Sequence, residues 1–366
     1  MIRALIGGCV ALAAFGAAYS AKAAGPTRPQ RVVSVVSVPK GGQPVAAAAD
    51  SRGVVHVLFN SKDGPQYVSS SDGGKTLSEP IAVVDRASRK PGLEFTAWSM
   101  AVAPDGRVHA ALGTNAWKLK LPKEEWSLHY TSLAPGAKEF SPVRNLNHKP
   151  SEGFSLAADG EGNVTACWLS GKLYANVSND AGKTFGPAVE IDASFDPCDC
   201  CTTAAAYGAD GKLAVLYREE TGNERDMFLV LWDQKGNAVS RTAVSRTSWK
   251  TDSCPMSYYA LVPRNRGFTA VWPTRGQVCF ARLDEKGALA SRSEVKTPGT
   301  AGMRTGMVSL SLADDNTLVA WNEKEQLKWQ IYDKDDRPIG QPESTATHGT
   351  GVAGVATERG EGILFR

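Results

Sequence analysis

The sequence predicts an all-β chain: a β-propeller of four-stranded antiparallel blades, seven in number with six as the alternative, its ring closed by an N-terminal strand. Three observations predict it. A hairpin pattern recurs at a spacing of roughly 50 residues, the spacing of propeller blades. Further strand-like runs lie between the hairpins. No long segment carries the apolar period of about 3.6 residues that marks an amphipathic helix.

In chain order, the first element is a leader. Met1-Ile2-Arg3 is followed by an apolar, small-residue run to about Ala18 and by Ala21-Lys22-Ala23, a small-x-small cleavage site. Together they read as a secretory signal peptide over 1–23, with the propeller domain over 24–366. The expected location is periplasmic or secreted, without a membrane span, because the apolar run is too short to cross a bilayer. Without Arg3 and Lys22 the formal charge falls from +3 to +1, which argues against nucleic acid as a partner.

Next comes a strand-like run over 31–38, placed to complete the last blade and remove an open edge. The repeated hairpins follow at 46–59, 99–112, 154–168, 203–217, 258–272, 308–321 and 352–365. Each has a polar turn, most with glycine (Asp50-Ser51-Arg52-Gly53, Pro104-Asp105-Gly106, Asp210-Gly211), between apolar runs. Third strands are expected at 67–71, 173–178, 228–232, 278–283 and 329–332, and fourth strands at 80–84 and 187–191. The final hairpin ends at Arg366 with no third or fourth strand after it, so the last blade is expected to be incomplete.

Two turns carry a more specific pattern. Ser178-Asn179-Asp180-Ala181-Gly182-Lys183-Thr184-Phe185 reads Ser-x-Asp-x-Gly-x-x-aromatic, and Ser70-Ser71-Asp72-Gly73-Gly74-Lys75-Thr76-Leu77 repeats it with Leu77 in the aromatic place. These resemble the Asp-box of the sialidase-like (BNR repeat) propellers. The resemblance implies that Ser70, Asp72, Gly74, Ser178, Asp180, Gly182 and Phe185 are structural, with aspartate and glycine shaping a turn and the aromatic packing between sheets. It also implies an exo-acting, sialidase-type glycoside hydrolase as one candidate activity. Such enzymes use an arginine triad, a Tyr–Glu nucleophile pair and an acidic proton donor. The usual Arg-Ile-Pro motif is absent. Arg218, Arg225, Arg275 and Arg304, with Glu219, Glu220, Tyr258 and Tyr259, are the residues that face this test, and Arg218, Arg304, Tyr258 and Glu219 are the candidates kept. Many unrelated propellers share the turn, so it specifies fold and not activity.

The cysteines are more distinctive. Six follow the leader (167, 198, 200, 201, 254 and 279), three of them within Cys198-Asp199-Cys200-Cys201. Aligning the hairpin turns brings Cys198 onto Cys254, Cys200 onto Met256 and Met303 onto the position of Cys254, with His348 in the comparable loop of the last hairpin. All six cysteines are therefore expected on one rim of the propeller. Disulfides are one explanation, with Cys198–Cys254 the natural pair and Cys167 and Cys279 available to the others. A soft-metal site is the other, because thiolates and thioethers select Cu(I). Its candidate ligands are Cys198, Cys200, Cys201, Cys254, Met256, Met303 and His348, and copper is the candidate cofactor. Thiol–disulfide catalysis lacks the usual Cys-x-x-Cys at a helix start.

The function this supports is an exported propeller that binds a ligand or handles a soft metal on its Cys/Met-rich loop face, with a small ligand, a glycan or a protein as partner. A hydrolase and a disulfide-stapled interaction scaffold are the alternatives. Trp168, Trp232, Trp272, Trp321 and Trp329 recur at strand positions and are expected between blades. Trp98, Trp117, Trp126 and Trp249 fall in or near loops, where ligand stacking is open to them. The lysine- and glutamate-rich loop 115–125 reads either as a flap over the binding face or as a solvated loop, and His56, His109 and His129 lie within strands.

Overall fold

The computed structural model describes residues 33–85, 90–194, 196–236, 238–290 and 294–366. The leader over 1–23, its cleavage site and the first two residues of the 31–38 run lie outside the described residues. Val33–Arg366 forms one compact unit.

Alternating apolar residues and glycine-containing turns fold locally into hairpins, which then stack about an axis. Seven sheets result. The first contains Gln43–Ala49, Val55–Ser61, Gly64–Ser70 and Ile81–Ala82. The second contains Phe95–Val102, Val108–Thr114, His129–Leu133 and Arg144–Asn145, and the third Glu152–Ala158, Val164–Leu169, Leu173–Ser178 and Val189–Asp192. The fourth is built from Ala204–Tyr207, Leu213–Arg218, Met227–Trp232 and Ser240–Ala243, and the fifth from Ala260–Pro263, Phe268–Thr274, Gln277–Leu283 and Val295–Thr300. The sixth contains Met307–Ser311, Thr317–Glu323, Gln326–Tyr332 and Pro338–Ala346. In all six the strands are antiparallel and follow chain order. Among the described residues there is no α-helix, and none is long and apolar enough to cross a membrane.

The seventh sheet closes the ring. Ala353–Ala356 and Gly362–Phe365 form its hairpin, and Val33–Val36 joins Gly362–Phe365 in parallel, with Val35 beside Leu364. The seven-bladed expectation and the N-terminal closure therefore both hold. Among the described residues the seventh blade has three strands.

Apolar side chains from facing sheets make the core between neighbouring blades. Trp168, Trp232, Trp272 and Trp321 are buried there. The two Ser-x-Asp turns have matching hydrogen bonds. Ser178 Oγ donates to Asp180 Oδ1 at 2.7 Å and accepts from the Gly182 amide at 2.8 Å, while Asp180 accepts from the amide and hydroxyl of Thr184. Ser70, Asp72, Gly74 and Thr76 repeat the arrangement. Phe185 meets Tyr130 edge-on at 5.0 Å, joining the third blade to the second, and Leu77 packs into the core between the seventh blade and the first. These donors hold the Asp180 carboxyl down at about 2, first through the Thr184 hydroxyl, and the Asp72 carboxyl lower still.

Candidate functional site

Cys198–Cys201 leads into the first strand of the fourth blade as a β-turn. The Cys198 amide donates to the Arg218 carbonyl at 2.9 Å, and the Cys201 amide donates back to the Cys198 carbonyl at 2.9 Å. Residues i and i+3 of such a turn come close together. Cys198 Sγ accordingly lies 3.0 Å from Cys201 Sγ and 3.5 Å from Cys200 Sγ. The three sulfurs lie within 4.8 Å of one another.

Cys200 is bonded to Cys254, which comes from the loop ahead of the fifth blade. This corrects the expected Cys198–Cys254 pair. Anchored to the Arg218 carbonyl, Cys198 tucks its side chain beneath the turn, and Cys200 is the one that reaches the neighbouring loop. Cys167 and Cys279 are free, and neither forms the expected bridge. Their strands place them in two different inter-blade cores, and burial pushes both thiols up to about 12. Cys167 is a core residue apart from the turn, whereas Cys279 lies in the core that also holds Cys198 and Cys201.

Two guanidinium groups lie behind the turn. Arg225 is buried, and its Nη1 donates to Cys198 Sγ at 3.0 Å while its Nε donates to the Thr251 carbonyl at 3.1 Å. Its Nη2 lies 3.6 Å from Glu220 Oε1. Arg218 is fully buried, with its Nε on the Tyr259 hydroxyl at 3.1 Å and its Nη groups on the carbonyls of Arg225 and Pro273. Its guanidinium stacks over Trp249 at 4.8 Å. All of these Arg218 partners are neutral, so a buried cation at this place favours a negative charge beside it.

The sulfur pair supplies that charge. Its first proton leaves readily: the hydrogen bond from Cys198, assisted by Tyr259 and Arg218, brings Cys201 down to about 6 against the cost of burial. Its second is held firmly, because the bond to Cys201 and burial push the Cys198 thiol up. The pair thus behaves as one coupled group carrying a single negative charge near neutrality.

A cavity of about 1640 Å³ runs along the inner strands of the ring, and Cys200 and Met256 reach its lining. Tyr258, Arg304, Glu152 and Trp98 also line it. Trp117 and Lys118 of the 115–125 loop reach it as well. Cys198 and Cys201, each 1% exposed, lie behind Cys200. Asp199 also lines the cavity and accepts the Gly171 amide at 3.1 Å, bracing the turn against the third blade.

The remaining candidates separate. Met303 is 64% exposed. His348 is exposed as well, and its carbonyl is held by Gln43 of the first blade. Among the hydrolase candidates, Tyr258 and Arg304 face the cavity, whereas Arg218 and Glu219 are sealed away from it. Burial, with Asp226 and Glu224 nearby, raises the Glu219 carboxyl to about 7. Among the described residues lining the cavity Arg304 is the single arginine, so no arginine triad forms there. Trp98 packs on Phe154, the Trp126 indole donates to the Leu121 carbonyl, and Trp117 is exposed.

Sequence reasoning placed Arg225 among possible carboxylate clamps and overlooked its role on Cys198. It also passed over the i, i+3 spacing of Cys198 and Cys201, the available signal that the two meet across a turn.

No family model matches the chain, and no curated protein matches it in sequence. Solved structures match in fold. A chain of the mitotic checkpoint complex is 11% identical, with 88% of this chain and 89% of that one covered at a TM-score of 0.54. The intramolecular trans-sialidase from Ruminococcus gnavus is also 11% identical, over 82% of this chain and 95% of that one, with a TM-score of 0.51. SapL1 lectin is 9% identical over 85% and 97%, with a TM-score of 0.50. At such identities the likeness establishes fold alone. The class defined is therefore a seven-bladed β-propeller, and what distinguishes this chain within it is the cysteine turn.

Proposed function

We propose that this propeller is an exported binding protein, periplasmic or secreted, that holds one soft metal ion, copper(I), at the Cys198/Cys201 pair. One observation carries the reading: two buried sulfurs 3.0 Å apart, with the Arg225 guanidinium on one of them and a third sulfur 3.5 Å away. Thiolates select Cu(I). Two thiolates and one monovalent cation leave a net charge of −1, which offsets Arg218 while Glu220 lies beside Arg225. A divalent ion on the same pair would leave no negative charge there for Arg218, whose hydrogen-bond partners are neutral. Binding has to spread the sulfurs, since two metal–sulfur bonds of about 2.3 Å, the zinc–thiolate length, hold them roughly 4 Å or more apart at the wide angles of a two- or three-coordinate ion. Cys200 becomes a third ligand when its bond to Cys254 is reduced. The aromatic and charged cavity beside the turn is where a small ligand, glycan or protein would sit.

The test is anaerobic Cu(I) titration against a competing chelator. One equivalent is expected per chain, lost in a Cys198→Ser/Cys201→Ser variant that keeps its fold. Absence of stoichiometric binding, or unchanged binding by the double variant, refutes the assignment. Glycoside hydrolysis has less support, because Arg304 faces the cavity without partner arginines. Turnover of a sialoside that is lost in Arg304→Ala would restore it.

A further inference from the structure

The four sulfurs are arranged in two layers, and the layers are in reach of one another. The Cys200–Cys254 bond is the outer layer, with Cys200 in the cavity lining. Cys198 and Cys201 are the inner layer, sealed from solvent. Cys198 Sγ lies 3.5 Å from Cys200 Sγ and 3.0 Å from Cys201 Sγ, so one sulfur touches both layers. The Arg225 guanidinium donates to that same sulfur, the one that has to carry negative charge as it attacks. A structural staple needs none of this.

We propose that the cluster is a two-electron thiol–disulfide relay, in which the buried Cys198/Cys201 dithiol reduces a disulfide presented in the central cavity by way of the Cys200–Cys254 bond. In the first step the Cys198 proton passes to Cys201 Sγ across their 3.0 Å contact, and Cys198 Sγ, now the thiolate beside Arg225, attacks Cys200 Sγ. A Cys198–Cys200 bond forms, the Cys200–Cys254 bond breaks, and its electron pair leaves on Cys254 Sγ, which takes up a proton. Cys201 Sγ then gives up its proton and attacks Cys198 Sγ. The Cys198–Cys201 bond forms, and Cys200 leaves as a thiolate and is protonated. The inner pair has lost two electrons and its one remaining proton, the outer pair has gained two electrons and two protons, and the second proton comes from solvent, with no other oxidant or reductant involved. The outer dithiol then meets an external disulfide, whose two halves leave as thiols while Cys200–Cys254 closes again. Each chain thus reduces one external disulfide and ends with two internal bonds. Exchange of this kind requires the attacking and attacked sulfurs to be in contact, and here they are.

The relay needs no metal, so its test is run with a chelator present and stands apart from the copper(I) titration. The native chain is mixed with the aromatic disulfide dithiobis-nitrobenzoate, and released thiol is followed while acid-quenched samples are alkylated and their cysteine linkages mapped. Two released thiols per chain are expected, with both Cys200–Cys254 and Cys198–Cys201 bonds in the product. In Cys201→Ser, the Cys198–Cys200 intermediate accumulates. In Cys200→Ser/Cys254→Ser, the sealed inner pair reacts on the order of ten-fold more slowly, having lost its route to the cavity. Cys167→Ala, in a separate core, leaves the rate unchanged. The proposal is overturned if the native chain never forms the Cys198–Cys201 bond, or if the inner pair reacts as fast without Cys200 and Cys254 as with them. The first of these readings needs no variant and does not depend on how any variant folds.

Discussion

Replacing Arg225 with methionine removes the guanidinium from Cys198 Sγ and keeps an unbranched apolar side chain in its place. A hydrogen bond to a charged group contributes about 1.5–3 kcal/mol. At about 1.4 kcal/mol per pKa unit, losing this one raises the first ionisation of the Cys198/Cys201 pair by roughly one to two units. That ionisation falls near 6 in the native protein, taking Cys201 as its reporter. The assay is thiolate absorbance followed against pH on metal-free protein with the Cys200–Cys254 bond intact. Cys167 and Cys279, pushed up to about 12, stay protonated over this range, so the signal belongs to the pair. Arg225→Lys keeps the charge and loses the fork, and is expected to fall between the two. Copper(I) affinity near neutrality should weaken in step, because protons then compete better for the sulfurs. A midpoint in Arg225→Met that stays within a few tenths of a unit of the native one, in protein with unchanged near-ultraviolet circular dichroism, would refute the electrostatic account of the site.

Two further outcomes follow from the fold. Gly182 has φ +80, and a β-carbon there would overlap the Tyr130 hydroxyl and lie 2.9 Å from its Cζ. Backbone strain and overpacking together should make Gly182→Ala less stable by about 2–4 kcal/mol in urea unfolding, and a loss under about 1 kcal/mol would contradict the packing described. His109 is buried, with Nδ1 2.6 Å from the Tyr130 hydroxyl, and burial, reinforced by Arg107, brings it down to about 4 from its ordinary 6.5. Because the unfolded chain takes up that proton first, stability is fully present above about pH 6.5 and is lost as pH falls to 4, by about 3 kcal/mol. His109→Gln should flatten the urea-measured stability profile in that window, and an unchanged slope would show that another group is responsible.

The blade order was legible because its causes are local. Asp50 accepts the Arg52 and Val54 amides of its own turn, Asp159 does the same for Glu161 and Asn163, and Asp105 and Asp210 each accept one amide of theirs. The outer strands were harder to read. Arg144–Asn145 is two residues long, and Pro338–Ala346 is exposed almost throughout, so neither leaves an alternating apolar pattern. Their place is set by the strand they pair with and not by their own composition.

The chemistry at Cys198–Cys201 divides in the same way. Sequence alone determined that three thiols occupy one turn on the loop face, ahead of a blade strand, and that a further cysteine stands at the matching place in the next blade. Only the tertiary structure decided that Cys200, and not Cys198, reaches Cys254, and that Cys167 and Cys279 stay apart in separate cores. It also brought Arg225, 27 residues from Cys198, onto the buried sulfur. The physical reason is that side-chain direction within a turn, and the charge that lines its underside, depend on strands paired far along the chain. Residue spacing records the first of these levels and is blind to the second.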